Sequence, residues 1–226
     1  MDMLATPEFW VGLLKIIWIN IILSGDNAVV IALAARTLPP AQQRQAIWWG
    51  TLAAVVLRVA LTVVAAKLLQ LPYLQIVGGL LLLWIGVQLL ADEDEGEGEV
   101  KHHGNLMSAI RTILVADLVM SLDNVIGVAA AAGGNTTLLI IGLAIAIPIV
   151  IFGSTLMIKL MERFPVIVTV GAGLIGWVGG EAIASDRVLQ AWVAPHSSAF
   201  YLAAAVGAAF VVGAGKLMQG RARALG

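Results

Sequence analysis

Seven stretches of this chain run for about the length of a bilayer-crossing helix with almost no charge, and no other feature restricts the fold as much. They cover residues 10–34, 46–69, 73–91, 107–132, 137–159, 165–184 and 199–218. Hydrocarbon offers the backbone no hydrogen-bond partners, so each stretch must pair its own N–H and C=O groups as a helix or close with others into a barrel. The apolar runs do not alternate with a period of two, which argues against barrel strands. The expected fold is all-α: a polytopic membrane helix bundle of seven transmembrane helices, one domain over residues 1–226, with the lipid bilayer as its partner. Composition agrees, at 60% hydrophobic and 12% charged, against about 25% charged in soluble domains. The chain has no cysteine, which excludes disulfides and thiolate metal sites. A net charge of −1 gives no reason to expect a nucleic-acid partner. Residues 1–9 carry Asp2 and Glu8 but no basic residue, so the first stretch reads as a retained helix rather than a cleaved leader.

The connections are short. Pro39-Pro40 breaks the chain after the first stretch, Pro72 and Pro165 each open a later one, and Gly133-Gly134-Asn135-Thr136 makes a tight turn. Residues 92–105 form the only sizeable polar loop, six acids followed by Lys101, His102 and His103, and they read as a solvated loop. Arg36, Arg44, Lys101, Arg111, Lys159, Arg163, Lys216, Arg221 and Arg223 fall on one side and Lys15, Lys67 and Arg187 on the other. The basic excess places the C-terminus and the acidic loop in the cytoplasm and the N-terminus outside. Trp10, Trp48, Trp49 and Trp192 sit near span ends, as an interfacial belt requires.

The chain repeats itself. A shift of 97 residues lays Asn20, Ser24, Asp26 and Asn27 over Asp117, Ser121, Asp123 and Asn124, and a shift of 93 lays Pro72, Gly78, Trp84 and Gly86 over Pro165, Gly171, Trp177 and Gly179. Residues 10–91 and 107–184 are thus copies of three helices each. Three is odd, so the copies are inverted in the membrane, and helix 199–218 stands outside the repeat. Glycines at spacings of three and four in 78–86 and 171–180 fit close helix packing.

Four charges lie well inside spans: Asp26, Arg58, Asp117 and Asp123. An Asp at the centre of a membrane helix costs about 2.5–3.5 kcal/mol on insertion scales, so a functional site is the default reading. Asp117, Ser121 and Asn124 share one helical face, as do Asn20, Ser24 and Asn27, while Asp26 and Asp123 point about 100° away. Gly25 allows local unwinding beside Asp26; Leu122 gives no such help beside Asp123. The candidate ligands Asp26, Asn27, Asp117, Asp123 and Asn124 all offer oxygen, with Asn20, Ser24, Ser121, Arg58 and Glu181 as supporting residues. Oxygen donors suit Mg²⁺, Ca²⁺ and Mn²⁺. Three carboxylates against one guanidinium leave a charge that one divalent cation neutralises. Plainer readings stand beside this one. Arg58 pairs with Asp117 or with Asp123, the Asp-Asn motifs hold helices together, and Glu181 snorkels at a span end.

At these residues the chain resembles the TerC family of integral membrane proteins. The resemblance rests on Ser24-Gly-Asp-Asn27, on Asp117 to Asn124 and on Arg58, and chain length and span layout resemble its YjbE-like members. It implies metal-ion efflux, most often of Mn²⁺, and kinship with the wider LysE-like exporters, with the family's acidic positions falling on Asp26, Asp117 and Asp123. This chain has Asp123-Asn124 where some relatives have Asp-Ser. Tellurite as a substrate does not follow, because an oxyanion needs a cationic site. The expectation is a secondary transporter of the bacterial cytoplasmic membrane, exporting a divalent ion in exchange for protons, with no cofactor and no enzymatic activity. No Gly-rich nucleotide loop is present to couple ATP, and oligomeric state is left open. Two alternatives compete. One is a cation-binding scaffold or sensor recruiting partners through 92–105. The other is an intramembrane aspartyl protease, which lacks support because neither a Tyr-Asp pair nor a Gly-x-Gly-Asp motif is present.

Overall fold

The computed structural model describes residues 10–14, 17–18, 25–68, 71–91, 105–132, 136–193, 195 and 197–225. Every regular element among them is helical. We number the helices α1 (Gly25–Ala35), α2 (Pro40–Leu68), α3 (Leu74–Ala91), α4 (Leu106–Ala132), α5 (Thr136–Arg163), α6 (Val166–Ser185), α7 (Arg187–Val193) and α8 (Ser197–Leu225). Among the described residues, five segments are long and apolar enough to cross a membrane: Pro40–Thr62, Leu74–Ala91, Ile140–Arg163, Val166–Ser185 and Ser198–Arg221; α1 is a shorter apolar helix. The expected spans at 73–91 and 165–184 match α3 and α6 within a residue or two. The second begins earlier than expected, because Pro40 sits in its first turn, where a missing N–H interrupts no helical bond. The polar loop expected at 92–105, with His102 and His103, falls almost wholly outside the described residues.

Named contacts fix the helix directions. Along α2 and α4, Gly50 lies against Ile113 and Arg58 against Ser121, so both chains advance together and the two helices run parallel. A Cβ added at Gly50 would stand 2.8 Å from Ile113 Cδ1, and its absence lets α2 close on α4. Helices α3 and α6 cross antiparallel, with Gly79 against Ile183 and Leu82 against Gly179. α8 packs antiparallel on α6, where a Cβ at Gly176 would come 2.5 Å from the Gly207 carbonyl oxygen. The glycine spacing in the sequence is therefore a packing signal, as expected. Helix α1 packs mainly on α5, and α2 mainly on α4.

The buried core is apolar and runs through all the long helices, with Leu33, Leu82, Ile113, Leu143, Ile175 and Val211 wholly enclosed. Trp48, Trp49, Trp84, Phe152, Tyr201 and Phe210 point outward. An outward apolar surface of this extent suits lipid, not water. Pro148 lies inside α5 on an exposed face, so its missing N–H leaves the Ala144 carbonyl without the usual helical donor on that side.

Asp186, which falls between the expected spans 165–184 and 199–218, is buried at the junction of α6 and α7. Its Oδ1 accepts from Val188 N (2.9 Å) and Tyr73 N (3.2 Å), and its Oδ2 from Gln75 N (3.1 Å) and Ile76 N (3.3 Å). One carboxylate thus caps α7 in its own segment and α3 more than a hundred residues away. Tyr73, a non-glycine at φ 65°, turns its N–H toward that oxygen. Burial raises the Asp186 pKa, but the four backbone donors outweigh it and hold the carboxyl below the ordinary value. The cap also creates α7, a helix that hydropathy gave no reason to expect. At the other end of α3, Arg36 Nη2 donates to the Leu89 carbonyl (2.9 Å) and Gln219 Nε2 to the Leu90 carbonyl (2.6 Å). An acid at the N-terminus and a cation at the C-terminus both oppose the helix dipole.

Candidate functional site

Four helices meet around a small internal cavity of about 20 Å³, room for roughly one water or one ion. α1, α2 and α5 each contribute residues about one helical turn apart, as a single face must. α1 supplies Asn27 and Ile31; α2 supplies Thr51, Ala54, Val55 and Arg58; α4 supplies Asp117; and α5 supplies Leu143, Ala146 and Val150. The walls are mostly apolar, so the few polar groups interact with little screening.

Arg58 and Asp117 are the centre of this arrangement, exposed to only 6% and 7%. Arg58 Nη2 donates to Asp117 Oδ1 at 2.5 Å, Arg58 Nε donates to Ser121 Oγ at 2.9 Å, and Ser121 Oγ donates to Asp117 Oδ2 at 3.0 Å. The three side chains form a closed ring in which both carboxylate oxygens are engaged. Asp117 and Ser121 meet because they are one turn apart on an unbroken α4. Arg58 reaches them because Gly50 lets α2 lie close. Of the two partners the sequence offers Arg58, Asp117 is paired with it, while the side chain of Asp123 lies outside the described residues.

The remaining site residues divide as follows. Asn27 is buried and lines the cavity. Asp26 is half-buried, accepts from Asn27 N (2.7 Å), and has both Arg58 and Asp117 within electrostatic reach. Asn124 is half-buried on α4. The side chain of Asp123, and Asn20 and Ser24 altogether, lie outside the described residues, as does any unwinding just before Gly25. Along α4 the helix runs continuously through Asp123, as the absence of a glycine there requires. Glu181 stands apart: it accepts from Trp177 Nε1 (2.8 Å) on its own helix and is not among the cavity walls. Among the described residues, no three His, Cys, Asp or Glu side chains cluster closely enough to hold a metal ion.

Thr51 also faces this cavity, and nothing in the hydropathy pattern singles it out. It is 2% exposed, and among the described residues its Oγ1 has no hydrogen-bond partner. A hydroxyl in an apolar helix carries no sequence signal of its own. Its place two turns before Arg58 would have flagged it, since positions seven apart share a face.

An outward apolar surface, bilayer-length helices and a buried ion pair between two of them define a polytopic integral membrane protein with a polar site in its interior. Residues 5–223 match the sequence pattern of the integral membrane protein TerC family, and the chain belongs to that family. It is 44% identical over 205 residues to the uncharacterized membrane protein YjbE of Bacillus subtilis, covering 91% of this chain and 94% of that one. It is 26% identical over 199 residues to the uncharacterized membrane protein YkoY of the same organism, covering 79% of this chain and 61% of the relative. It is also 24% identical over 231 residues to the UPF0053 inner membrane protein YoaE of Escherichia coli, covering 94% of this chain and 43% of the relative. The chain thus spans nearly all of the first relative and less than two thirds of the other two. No solved structure matches it.

Proposed function

We propose that this chain is a secondary transporter that exports a divalent metal ion, foremost Mn²⁺, across the bacterial cytoplasmic membrane. One observation carries the reading: Asn27 of α1 and Asp117 of α4 line the same cavity, with Asp26 in electrostatic reach of Asp117. Polar residues of α1 and α4, the helices that carry the two related motifs, thus share one cavity, which structural glue alone would not need. Asp26, Asn27, Asp117, Asp123 and Asn124 are the ligands of this reading, all hard oxygen donors. They suit Mn²⁺, Mg²⁺ or Ca²⁺ over softer ions.

Alternating access follows from seven spans arranged as a 3+3 inverted repeat plus α8. Two features support that architecture. Helix α4 runs parallel to α2, and therefore opposite to α1 if α1 and α2 form a hairpin across Leu38 and Pro39. Exchanging α1 with α4, α2 with α5 and α3 with α6 also maps the packing onto itself: α1 on α5 becomes α4 on α2, and α3 on α6 becomes itself. The relative YoaE is named an inner membrane protein, in keeping with a cytoplasmic-membrane location. The basic excess supports an N-terminus outside and a C-terminus inside. A carboxylate vacated by the departing ion is the group to carry a proton back, which makes exchange for protons the natural coupling.

The test is cellular manganese in cells expressing the wild-type chain, Asp26→Asn or Asp123→Asn, with flux into liposomes with and without a pH gradient. Wild type should lower cell manganese and both variants should not. Equal export by both variants, at equal expression, sinks the site.

A further inference from the structure

We infer that Arg58 is a resident counter-cation that the substrate ion must displace from Asp117, and that it thereby sets the charge selectivity of the site. This rests on the ion-transport reading above and deepens it. Arg58 occupies one oxygen of Asp117, and Ser121, itself held by Arg58 Nε, occupies the other. The carboxylate meets the cavity already paired. An ion arriving beside Asn27 and the Thr51 hydroxyl therefore competes with a tethered guanidinium.

Charge decides that competition. Attraction at contact scales with the product of the charges and is little screened in an apolar pocket. A monovalent ion brings no more charge than the guanidinium and lacks its anchor at Ser121, so it gains nothing by entering. A divalent ion brings twice the charge. The neutral donors Asn27 and Thr51 complete its oxygen shell, and the Thr51 Oγ1 without a partner among the described residues is the polar group left over for it. When the ion leaves, Arg58 returns, and Asp117 is never left bare in a dry interior. Asp117 then needs no proton in the empty carrier, which confines any proton traffic to the other carboxylates.

The experiment uses the full chain in lipid nanodiscs, titrated with Mn²⁺ alone and then with sodium as competitor, for wild type, Ser121→Ala and Arg58→Met. Losing the Ser121 anchor weakens only the resting pair, so Ser121→Ala should bind Mn²⁺ about fivefold more tightly, the equivalent of one ordinary hydrogen bond. Arg58→Met should bind Mn²⁺ at least tenfold more tightly, on the order of one charge contact, and sodium should now compete where it did not in wild type. Because Arg58→Met leaves Asp117 without its counter-charge and can reduce the yield of folded protein, Ser121→Ala carries the test alone if needed. Weaker Mn²⁺ binding in folded Ser121→Ala or Arg58→Met would overturn the inference, since those residues would then build the site rather than guard it. Sodium that still fails to compete in folded Arg58→Met would overturn it too. Folded wild-type protein that binds neither Mn²⁺ nor Ca²⁺ would instead remove the ion-site reading itself, and the inference with it.

Discussion

Replacing Asp186 with alanine should destabilise the end of the bundle where α3 begins and α6 meets α7 by about 3 kcal/mol. The magnitude comes from the four backbone N–H groups that converge on this carboxylate, at 2.9, 3.1, 3.2 and 3.3 Å. A lost N-cap costs about 0.5–2 kcal/mol, and two helix starts, α3 and α7, lose theirs together. The sum stays well below four full charged hydrogen bonds because Tyr73 is exposed and water can reach its N–H once the carboxylate is gone. Asp186→Asn keeps one acceptor but no charge and should cost about half as much. Acid separates the charge from the geometry. The folded-state pKa lies below the unfolded value, so ionised Asp186 contributes its full stability above the unfolded pKa, near 4, and loses it as pH falls through the folded pKa. The gap between wild type and Asp186→Asn should therefore be full at pH 7 and shrink below about pH 4. Thermal unfolding in detergent, followed by tryptophan fluorescence, measures it. Coincident midpoints at pH 7, or a gap that persists unchanged at pH 3, would refute the assignment of Asp186 as an ionised cap.

Other perturbations test other contacts. Asp117→Asn strands the Arg58 charge in a dry interior and should cost about 3–5 kcal/mol, whereas Asp117→Asn with Arg58→Met should cost less than the sum of the single changes; unfolding midpoints of the double-mutant cycle decide it. Gly180→Leu should separate α8 from α6, because even a Cβ there meets the backbone of Ala203, while Gly213→Ala meets nothing and should leave stability unchanged or raise it by about 0.5–1 kcal/mol. Size-exclusion profiles in detergent should broaden for the first and not for the second. Thr51→Val removes a buried hydroxyl with no partner among the described residues, so folding stability should hold or rise slightly while Mn²⁺ binding weakens; equal Mn²⁺ affinity would remove Thr51 from the site.

The sequence determined the solvent and the elements. Long apolar runs make lipid-facing helices, because only a helix pairs its own backbone in hydrocarbon, and Pro40, Pro72 and Pro165 set where three of them begin. The sequence also exposed the odd charges, since Asp26, Arg58 and Asp117 have no place in such runs without a role. It did not decide which acid holds Arg58, that Thr51 faces the same cavity, or that Asp186 reaches back to cap α3. Periodicity describes one helix at a time. Which faces meet depends on where small residues such as Gly50, Gly79, Gly176 and Gly179 let backbones approach, and that distance is a property of two helices together. The ring of Arg58, Asp117 and Ser121 exists only once α2 lies parallel to α4 at the register Gly50 permits, and no local pattern of hydropathy contains that register.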